Sequence, residues 1–257
     1  MSANSTPTAK VILQARGIRL AASAPPMDVT ICEGEIVGLA GLEGHGQQRF
    51  LEALCGLYTP IEGQVEAILP GGKTVRVNNF HKAAQAGVAY LPRERKTQGI
   101  LPALSVLDNF AIGTLPQKSR FGFINRQSLR EQLGQFQERL SMIFASPSAP
   151  ITSLSGGNQQ KVILARWMAT SPRAMLLNDP TRGVDMSTKL TLYQTFREMV
   201  EREGTALVLL STEIEEFLQL CDRTLVFRDS GLFAELDRAA TTRASVMAAM
   251  FGRKHEA

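Results

Sequence analysis

The sequence has few of the residues that mark several specialised protein classes. Its three cysteines form no CxxC pair and no metal-ligand spacing, which predicts spare or buried thiols in a reducing compartment. The formal net charge is only +4 and no dense basic block is present, so a nucleic-acid-binding protein is not favoured. The longest apolar runs, such as residues 206–210, are far too short to span a bilayer. We therefore expect a cytosolic chain that reaches a membrane only through a partner.

What remains is the composition of an ordinary globular chain. Hydrophobic residues make up 44% of the sequence, which is enough for a full core. Residues 1–10 are polar and lack an apolar segment, so we expect a disordered lead-in and no signal peptide. Because no internal repeat, low-complexity tract or linker is present, residues 11–257 are predicted to form a single domain.

Short apolar runs alternate with segments of helical spacing, which predicts an α/β fold with a mainly parallel core sheet. An antiparallel β flank at the start and a helical subdomain over about residues 100–168 complete it. Strands are predicted at residues 11–20, 29–32, 35–40, 65–69, 87–91, 174–177, 206–210, 223–227 and 232–236. Helices are predicted at residues 47–55, 126–144, 157–169, 186–203, 213–220 and 241–251.

A glycine-rich segment follows the strand predicted at residues 35–40. Gly41, Gly44 and Gly46 match the spacing of a phosphate-binding loop, G-x-x-x-x-G-K-[ST], whose backbone N–H groups surround phosphates at a helix N-terminus. Gln47 and Gln48 replace the Lys that reaches the phosphates and the Ser or Thr that holds Mg²⁺. An amide brings no positive charge, so this segment alone is equally compatible with a glycine-rich turn between a strand and a helix.

Residues 154–162 have the sequence LSGGNQQKV, which resembles the signature segment of ATP-binding cassette (ABC) proteins in the form found in monosaccharide importers. Ser155 supplies a hydroxyl, while Gly156 and Gly157 leave the backbone open at the start of the predicted helix. This geometry suits a γ-phosphate presented from outside the domain. A simple helix cap by Ser155 is the alternative, but it does not account for nine specified residues.

Residues 175–185, MLLNDPTRGVD, resemble the Walker B strand and D-loop of the same family, usually LLxDEPTRGVD. Asn178 stands where the Mg²⁺-binding Asp is expected, and with Gln48 it makes a poor metal site, so no metal ligand is assigned. Asp179 stands where a Glu polarises the attacking water. Its carboxylate is set back by roughly 1.5 Å, and a misplacement of that size costs on the order of a hundredfold in rate.

Two further positions depart from the family pattern. Arg93, within the segment 90–96 that resembles the Q-loop, replaces the expected Gln. Thr212 replaces the switch His. The resemblance covers about residues 18–236 and is closest to the second, degenerate ATPase half of ribose-, xylose- or galactose-type importers. It implies Asp179 as the catalytic residue, ATP as the cofactor and Mg²⁺ held weakly. The implied nucleotide-binding residues are Gly41, Gly44, Gly46, Gln47, Gln48, Ser155, Gly156, Gly157, Gln159 and Asp185.

The same resemblance implies partners at the cytoplasmic face of the membrane. These are an intact second ATPase half in a heterodimer, transmembrane permease subunits and, indirectly, a periplasmic binding protein, with no nucleic acid. The second half is either a separate chain, which Met1 favours, or part of a longer one. Three other functions stay open: a nucleoside importer, a catalytically dead half that senses nucleotide, and a soluble ABC ATPase acting on ribosomes or DNA. The last usually has coiled coils or basic linkers, which the sequence lacks.

Overall fold

The computed structural model describes residues 10–114 and 125–253, and the first nine residues of the predicted lead-in lie outside these ranges. The described chain divides into two compact units. The first unit comprises the described part of residues 1–89 together with residues 173–178 and 199–253, and the second comprises residues 90–172 and 179–198, apart from the gap. The division of the sequence into a lead-in and a single domain stays a prediction.

Strands of the described residues form two sheets. The strands are β1 Val11–Arg19, β2 Met27–Cys32, β3 Ile36–Gly41, β4 Glu62–Ile68, β5 Thr74–Arg76, β6 Val88–Leu91, β7 Ala174–Asn178, β8 Ala206–Leu210, β9 Arg223–Arg228 and β10 Gly231–Asp237. An antiparallel sheet has the order β2-β1-β4-β5, and the larger sheet has the order β10-β9-β3-β8-β7-β6. Strands β9, β3, β8 and β7 are parallel, while β10 is antiparallel to β9. The α/β fold with a mainly parallel core sheet and an antiparallel flank is confirmed.

The apolar composition of the central strands explains their position in the middle of the larger sheet. Every residue of β7 and β8 is buried, as are five of the six residues of β3. Strands of a parallel sheet are covered on both faces and so consist of continuous apolar runs. Strand β1 instead alternates buried and more exposed residues over part of its length, as expected of the antiparallel flank.

Helices of the described residues include two that the sequence analysis missed. The helices are α1 Gln47–Leu54, α2 Phe80–Gln85, α3 Val106–Ala111, α4 Arg126–Arg139, α5 Gly156–Met168, α6 Met186–Glu203, α7 Ile214–Leu220 and α8 Arg243–Met250. The missed helices α2 and α3 have only six residues each and are capped by Asn79 and Ser105. No described helix combines the length and apolar character that crossing a bilayer requires.

The prediction that α4 extends to residue 144 was wrong. The helix ends at Arg139, and Ser141 adopts a left-handed backbone conformation with a φ of 48°. A non-glycine residue in that region does not continue a right-handed helix. Ile143, which apolar spacing placed on the buried face, is 78% exposed. Leu129 and Leu133 are buried as the spacing predicts.

A buried arginine connects the elements of the second unit. Arg166 of α5 donates hydrogen bonds to the carbonyl oxygens of Gly99 (2.7 Å) and Asn109 (2.6 Å) and to the Asn109 amide oxygen (3.3 Å). Burial lowers the pKa of Arg166 to about 10, so its guanidinium is still charged at neutral pH. Its partners are neutral oxygens, which satisfy the donors of the buried cation.

We expect Arg166→Met to lower the free energy of unfolding by about 2–4 kcal/mol, because it leaves buried carbonyl groups of Gly99 and Asn109 without a donor. Urea unfolding would measure the change. The matched control is Arg130→Met at an exposed position of α4 in the same unit, which should cost less than about 0.5 kcal/mol. Equal unfolding midpoints for the two variants would contradict a structural role for the buried guanidinium.

Candidate functional site

The glycine loop has the backbone form that the sequence predicts. Strand β3 ends at Gly41, and α1 begins after Gly46, which has a φ of 102°. A Cβ atom at Gly46 would lie 2.8 Å from the Cα atom of Ser230, so a side chain does not fit there. A Cβ atom at Gly44 would meet nothing within 4 Å. The Ser230 backbone N–H donates to the carbonyl of His45 and holds the loop in place.

Gln47 and Gln48 do not supply the lysine charge or the Mg²⁺-binding hydroxyl that the family pattern has at their positions. Gln47 is 8% exposed, and its Nε2 donates to the carbonyl oxygens of Gly41 (3.0 Å) and Leu42 (2.9 Å). The Gln47 amide therefore lies against its own loop. Gln48 is exposed, and its Nε2 donates to Glu52 Oε1 one turn along α1, at 2.9 Å. Neither side chain supplies a positive charge, and the Gln48 amide is engaged by a carboxylate of its own helix.

These residues fit phosphate groups through the backbone alone and do not fit Mg²⁺. The loop offers backbone N–H groups at the start of α1, which suit phosphate oxygens. Mg²⁺ is usually bound through one or two carboxylates, whereas the corresponding positions hold the amides of Gln48 and Asn178. Across the described ranges, no group of three His, Cys, Asp or Glu side chains is placed to hold a metal ion.

Asp179, the predicted catalytic residue, faces a cation of its own unit. Its side chain is 3% exposed, and its Oδ2 lies 3.0 Å from Nε of Arg93. The backbone at Asp179 has a φ of 47°, a conformation that few non-glycine residues adopt. The neighbouring residues form a second ion pair, in which Arg182 Nη1 lies 2.6 Å from Glu94 Oε1. The residue that replaces the Q-loop Gln thus compensates the charge of the predicted catalytic carboxylate.

The signature segment begins α5 in the second unit. Ser155 is its N-cap, and its Oγ accepts hydrogen bonds from the backbone N–H and the side-chain amide of Asn158. Asn158 Oδ1 accepts in turn from the backbone N–H of Ile143 at 2.8 Å. At Gly157 a Cβ atom would lie 2.7 Å from Thr188 Oγ1. Close packing therefore requires glycine at position 157.

Two other predicted signature-side residues are held by hydrogen bonds, Gln159 at a buried position and Asp185 at an exposed one. Gln159 is 7% exposed, and its Nε2 donates to the carbonyl oxygens of Ile151 and Leu154. Asp185 accepts hydrogen bonds from the backbone N–H and the hydroxyl of Thr188, each at 2.9 Å. The backbone N–H of Thr188, followed by its hydroxyl, holds the pKa of Asp185 below its ordinary value. Both side chains shape the segment around the signature.

The predicted site residues fall into two groups. Ser155, Gly156, Gly157, Gln159, Asp179 and Asp185 belong to the second unit, and Gly41, Gly44, Gly46, Gln47 and Gln48 belong to the first. Thr212, at the expected switch position, is exposed. Arg95, for which the sequence patterns predict no role, donates from its Nε to Gln159 Oε1 at 3.3 Å. The run of charged residues at 93–96 was the signal that could have found it.

A match to a family model identifies the protein family of this chain. The ABC transporter model matches residues 25–182, which is more than half of the chain. The chain belongs to the ABC transporter family. Among similar curated proteins are the ribose import ATP-binding protein RbsA 2 of Rubrobacter xylanophilus, 37% identical, and the ribose import ATP-binding protein RbsA of Rhodopirellula baltica, 35% identical. These alignments cover 95% and 99% of this chain but only 46% and 51% of the relatives, so this ABC family member spans about half their length.

Solved structures with the same fold are ATP-binding cassettes. One, a dimeric cassette in a post-hydrolysis state with ADP and Pi, has a TM-score of 0.74 and 20% identity over 88% of this chain and 99% of its own. A nucleotide-free cassette from an ABC transporter has a TM-score of 0.74 and 16% identity, covering 93% and 98% of the two chains. These similarities establish the ABC fold of this chain.

The pair formed by Arg93 and Asp179 can be tested by a double-mutant cycle. Arg93→Gln should lower the free energy of unfolding by about 2–3 kcal/mol, because it leaves a buried carboxylate without its cation. Arg93→Gln with Asp179→Asn should recover at least about 1 kcal/mol of that loss. Chemical denaturation measures each variant.

The exposed pair of Arg182 and Glu94 supplies the matched control for that cycle. Both side chains are more than half exposed, so Arg182→Gln should cost less than about 1 kcal/mol. If Arg93→Gln costs no more than Arg182→Gln, the buried pair does not compensate the Asp179 charge.

Proposed function

We propose that this ABC family member is the ATP-binding subunit of a sugar importer and supplies its signature segment to ATP held by a second ATP-binding domain. Its own glycine loop binds nucleotide weakly. The observation that carries the proposal is the position of Gln47, whose buried amide donates to carbonyl oxygens of its own loop where a lysine would reach toward phosphate. Sugar as the cargo is supported by relatives that are named ribose import ATP-binding proteins.

Three features weaken nucleotide binding and turnover at the chain's own loop. The loop contributes backbone N–H groups but no side-chain cation. Gln48 and Asn178 offer Mg²⁺ neutral amides in place of a hydroxyl and a carboxylate. Asp179 lies beside Arg93, so a water molecule would have to compete with a guanidinium for the carboxylate. The first two features weaken the binding of a Mg²⁺–triphosphate, and the third would hinder activation of a water molecule by Asp179.

The signature segment lacks corresponding defects. Ser155 caps α5, and Gly156 and Gly157 begin that helix without side chains of their own. In the ABC arrangement that the sequence implies, two domains face each other head to tail, and each signature closes over the nucleotide of the other domain. A partner with an intact, lysine-bearing loop then provides the working site. Closure of such a heterodimer would drive the permease subunits.

Restoring the loop should restore nucleotide binding. We expect the variant that combines Gln47→Lys, Gln48→Ser and Asn178→Asp to bind Mg²⁺–ATP at least about tenfold more tightly than the natural chain, since a charged phosphate contact contributes roughly 1.5–3 kcal/mol. Isothermal titration calorimetry measures both affinities. Gln85→Lys, which adds a lysine charge at an exposed position of α2, should leave the affinity for Mg²⁺–ATP unchanged. Micromolar Mg²⁺–ATP binding with turnover by the unmodified chain would refute the degenerate loop.

Complementation by an intact ATP-binding domain tests the signature. A mixture of this chain with a lysine-bearing domain encoded beside it should hydrolyse ATP, whereas the chain alone should not. Ser155→Arg should abolish the activity of the mixture, because it places a bulky side chain at the nucleotide-facing end of α5. Ser146→Arg, at an exposed loop position of the same unit, is the control and should leave it unchanged.

The same experiment separates the importer from a nucleotide-sensing scaffold. If the mixture with Ser155→Arg keeps full activity, the signature segment does not act on the partner's ATP, and the result supports a nucleotide-sensing scaffold. Ligand binding by the matching periplasmic protein distinguishes a sugar from a nucleoside as the cargo.

A further inference from the structure

A single π-helical turn, Arg95–Gly99, is fixed against one face of the signature helix α5. At one end, Arg95 Nε donates to Gln159 Oε1, and at the other the Gly99 carbonyl accepts from Arg166. Gly99 packs so closely that a Cβ atom there would lie 2.7 Å from Cδ1 of Ile163. Because residues 159, 163 and 166 follow helical spacing, they share one face of α5. The turn therefore has a defined position relative to the signature.

Two cations of this turn have no acidic partner among the described residues. In the part of the chain that the structure describes, neither Arg95 nor Lys96 forms an ion pair, although Arg93 and Glu94 immediately before them both do. Partial burial lowers the pKa of Arg95 from its ordinary value, but a guanidinium stays charged at neutral pH. A partly desolvated cation without a counter-charge favours an anionic ligand.

The unpaired cations line a cavity beside the signature. The cavity has a volume of about 610 Å³, and Arg95, Lys96, Thr152 and Gly156 contribute to its wall. None of its nine described lining residues is acidic. The Arg95 guanidinium reaches the signature itself, since a Cβ atom at Gly156 would lie 2.7 Å from Arg95 Nη2. Arg95, Lys96 and Gly156 thus contribute to one wall of the cavity.

We propose that Arg95 and Lys96 form, with Gly156, a binding site for the terminal phosphates of a nucleoside triphosphate. This inference rests on the proposed function, in which an opposing ATP-binding domain presents that nucleotide to the signature. The planar guanidinium of Arg95 binds phosphate oxygens through paired hydrogen bonds, and Lys96 adds a mobile charge. The signature of this chain therefore contributes positive charge to a site that lies outside its own glycine loop.

Kinetics of the mixture with an intact ATP-binding domain test the proposal. Arg95→Gln should raise the KM for ATP about tenfold or lower kcat by a similar factor, and Lys96→Gln should have a smaller effect. Arg95→Lys, which keeps the charge but loses the paired donors, should recover part of the loss. Arg130→Gln, on the exposed surface of α4 in the same unit, removes the same charge and should leave both constants unchanged.

Titration of the full chain alone with sodium tripolyphosphate distinguishes free from presented phosphate. If the polyphosphate binds and Arg95→Gln weakens that binding, the site takes the free anion as well. If no binding is seen while the mixture still loses activity with Arg95→Gln, the site requires a presented nucleotide.

Two outcomes separate the failure of this inference from the failure of the proposed function. If Ser155→Arg abolishes activity of the mixture while Arg95→Gln behaves as Arg130→Gln, the phosphate site is overturned and the signature role stands. If Ser155→Arg has no effect, the signature role itself fails. Loss of activity with Arg95→Gln and Arg95→Lys alike, accompanied by a fall in the thermal unfolding midpoint, would assign Arg95 a purely structural role and overturn the site.

Discussion

The hydrogen bonds of Arg166 to backbone oxygens are the constraint on which the second unit depends. A guanidinium this buried is stable only when its donors are satisfied, and here they bind the carbonyl groups of Gly99 and Asn109. One side chain thereby fixes the π-helical turn and the missed helix α3 against α5. The position of the signature relative to its neighbours follows from that fixed packing.

The four adjacent charged residues at positions 93–96 differ in burial and in the partners that they contact. Arg93 compensates a buried carboxylate, and Glu94 forms an exposed pair with Arg182. Arg95 instead donates to the neutral amide of Gln159, and no described residue forms an ion pair with it. A buried pair is costly to break, whereas an exposed pair contributes little. The charges that are available to a ligand are therefore those of Arg95 and Lys96, and counting charges in the sequence does not identify them.

The sequence predicted the sheets well because burial determines their composition. Strand β8 and the first four residues of β7 are unbroken apolar runs, and such runs are visible without a structure. The end of α4 was not predictable from spacing, since the apolar period continues to Ile143 while the backbone turns left-handed at Ser141. The helices α2 and α3 have six residues each and are too short to show a clear period.

Some properties of the candidate site follow from residue types in the sequence, whereas others follow only from the contacts in the structure. The substitutions at positions 47, 48 and 178 are visible in the sequence because the family pattern specifies single residue types there. The direction of a side chain is not visible. Sequence alone left open whether Gln47 extends toward a phosphate, and the structure turns its amide to the carbonyl oxygens of Gly41 and Leu42.

The direction of the Gln47 side chain bears on the proposal that the chain's own loop binds nucleotide weakly while its signature segment serves another domain. Phosphate binding needs positive charge or N–H donors that are not already satisfied. The glycine loop has lost its side-chain charge, and the amide that replaces it satisfies the loop's own carbonyl groups. On the signature side, the Arg95 guanidinium has no ion-pair partner among the described residues and lies in a cavity whose described lining residues are not acidic. Under the proposed function, the chain's own loop binds nucleotide weakly, so a phosphate beside Arg95 is held by the opposing domain. The place of Arg95 beside Gly156 fits a phosphate that comes from outside the domain.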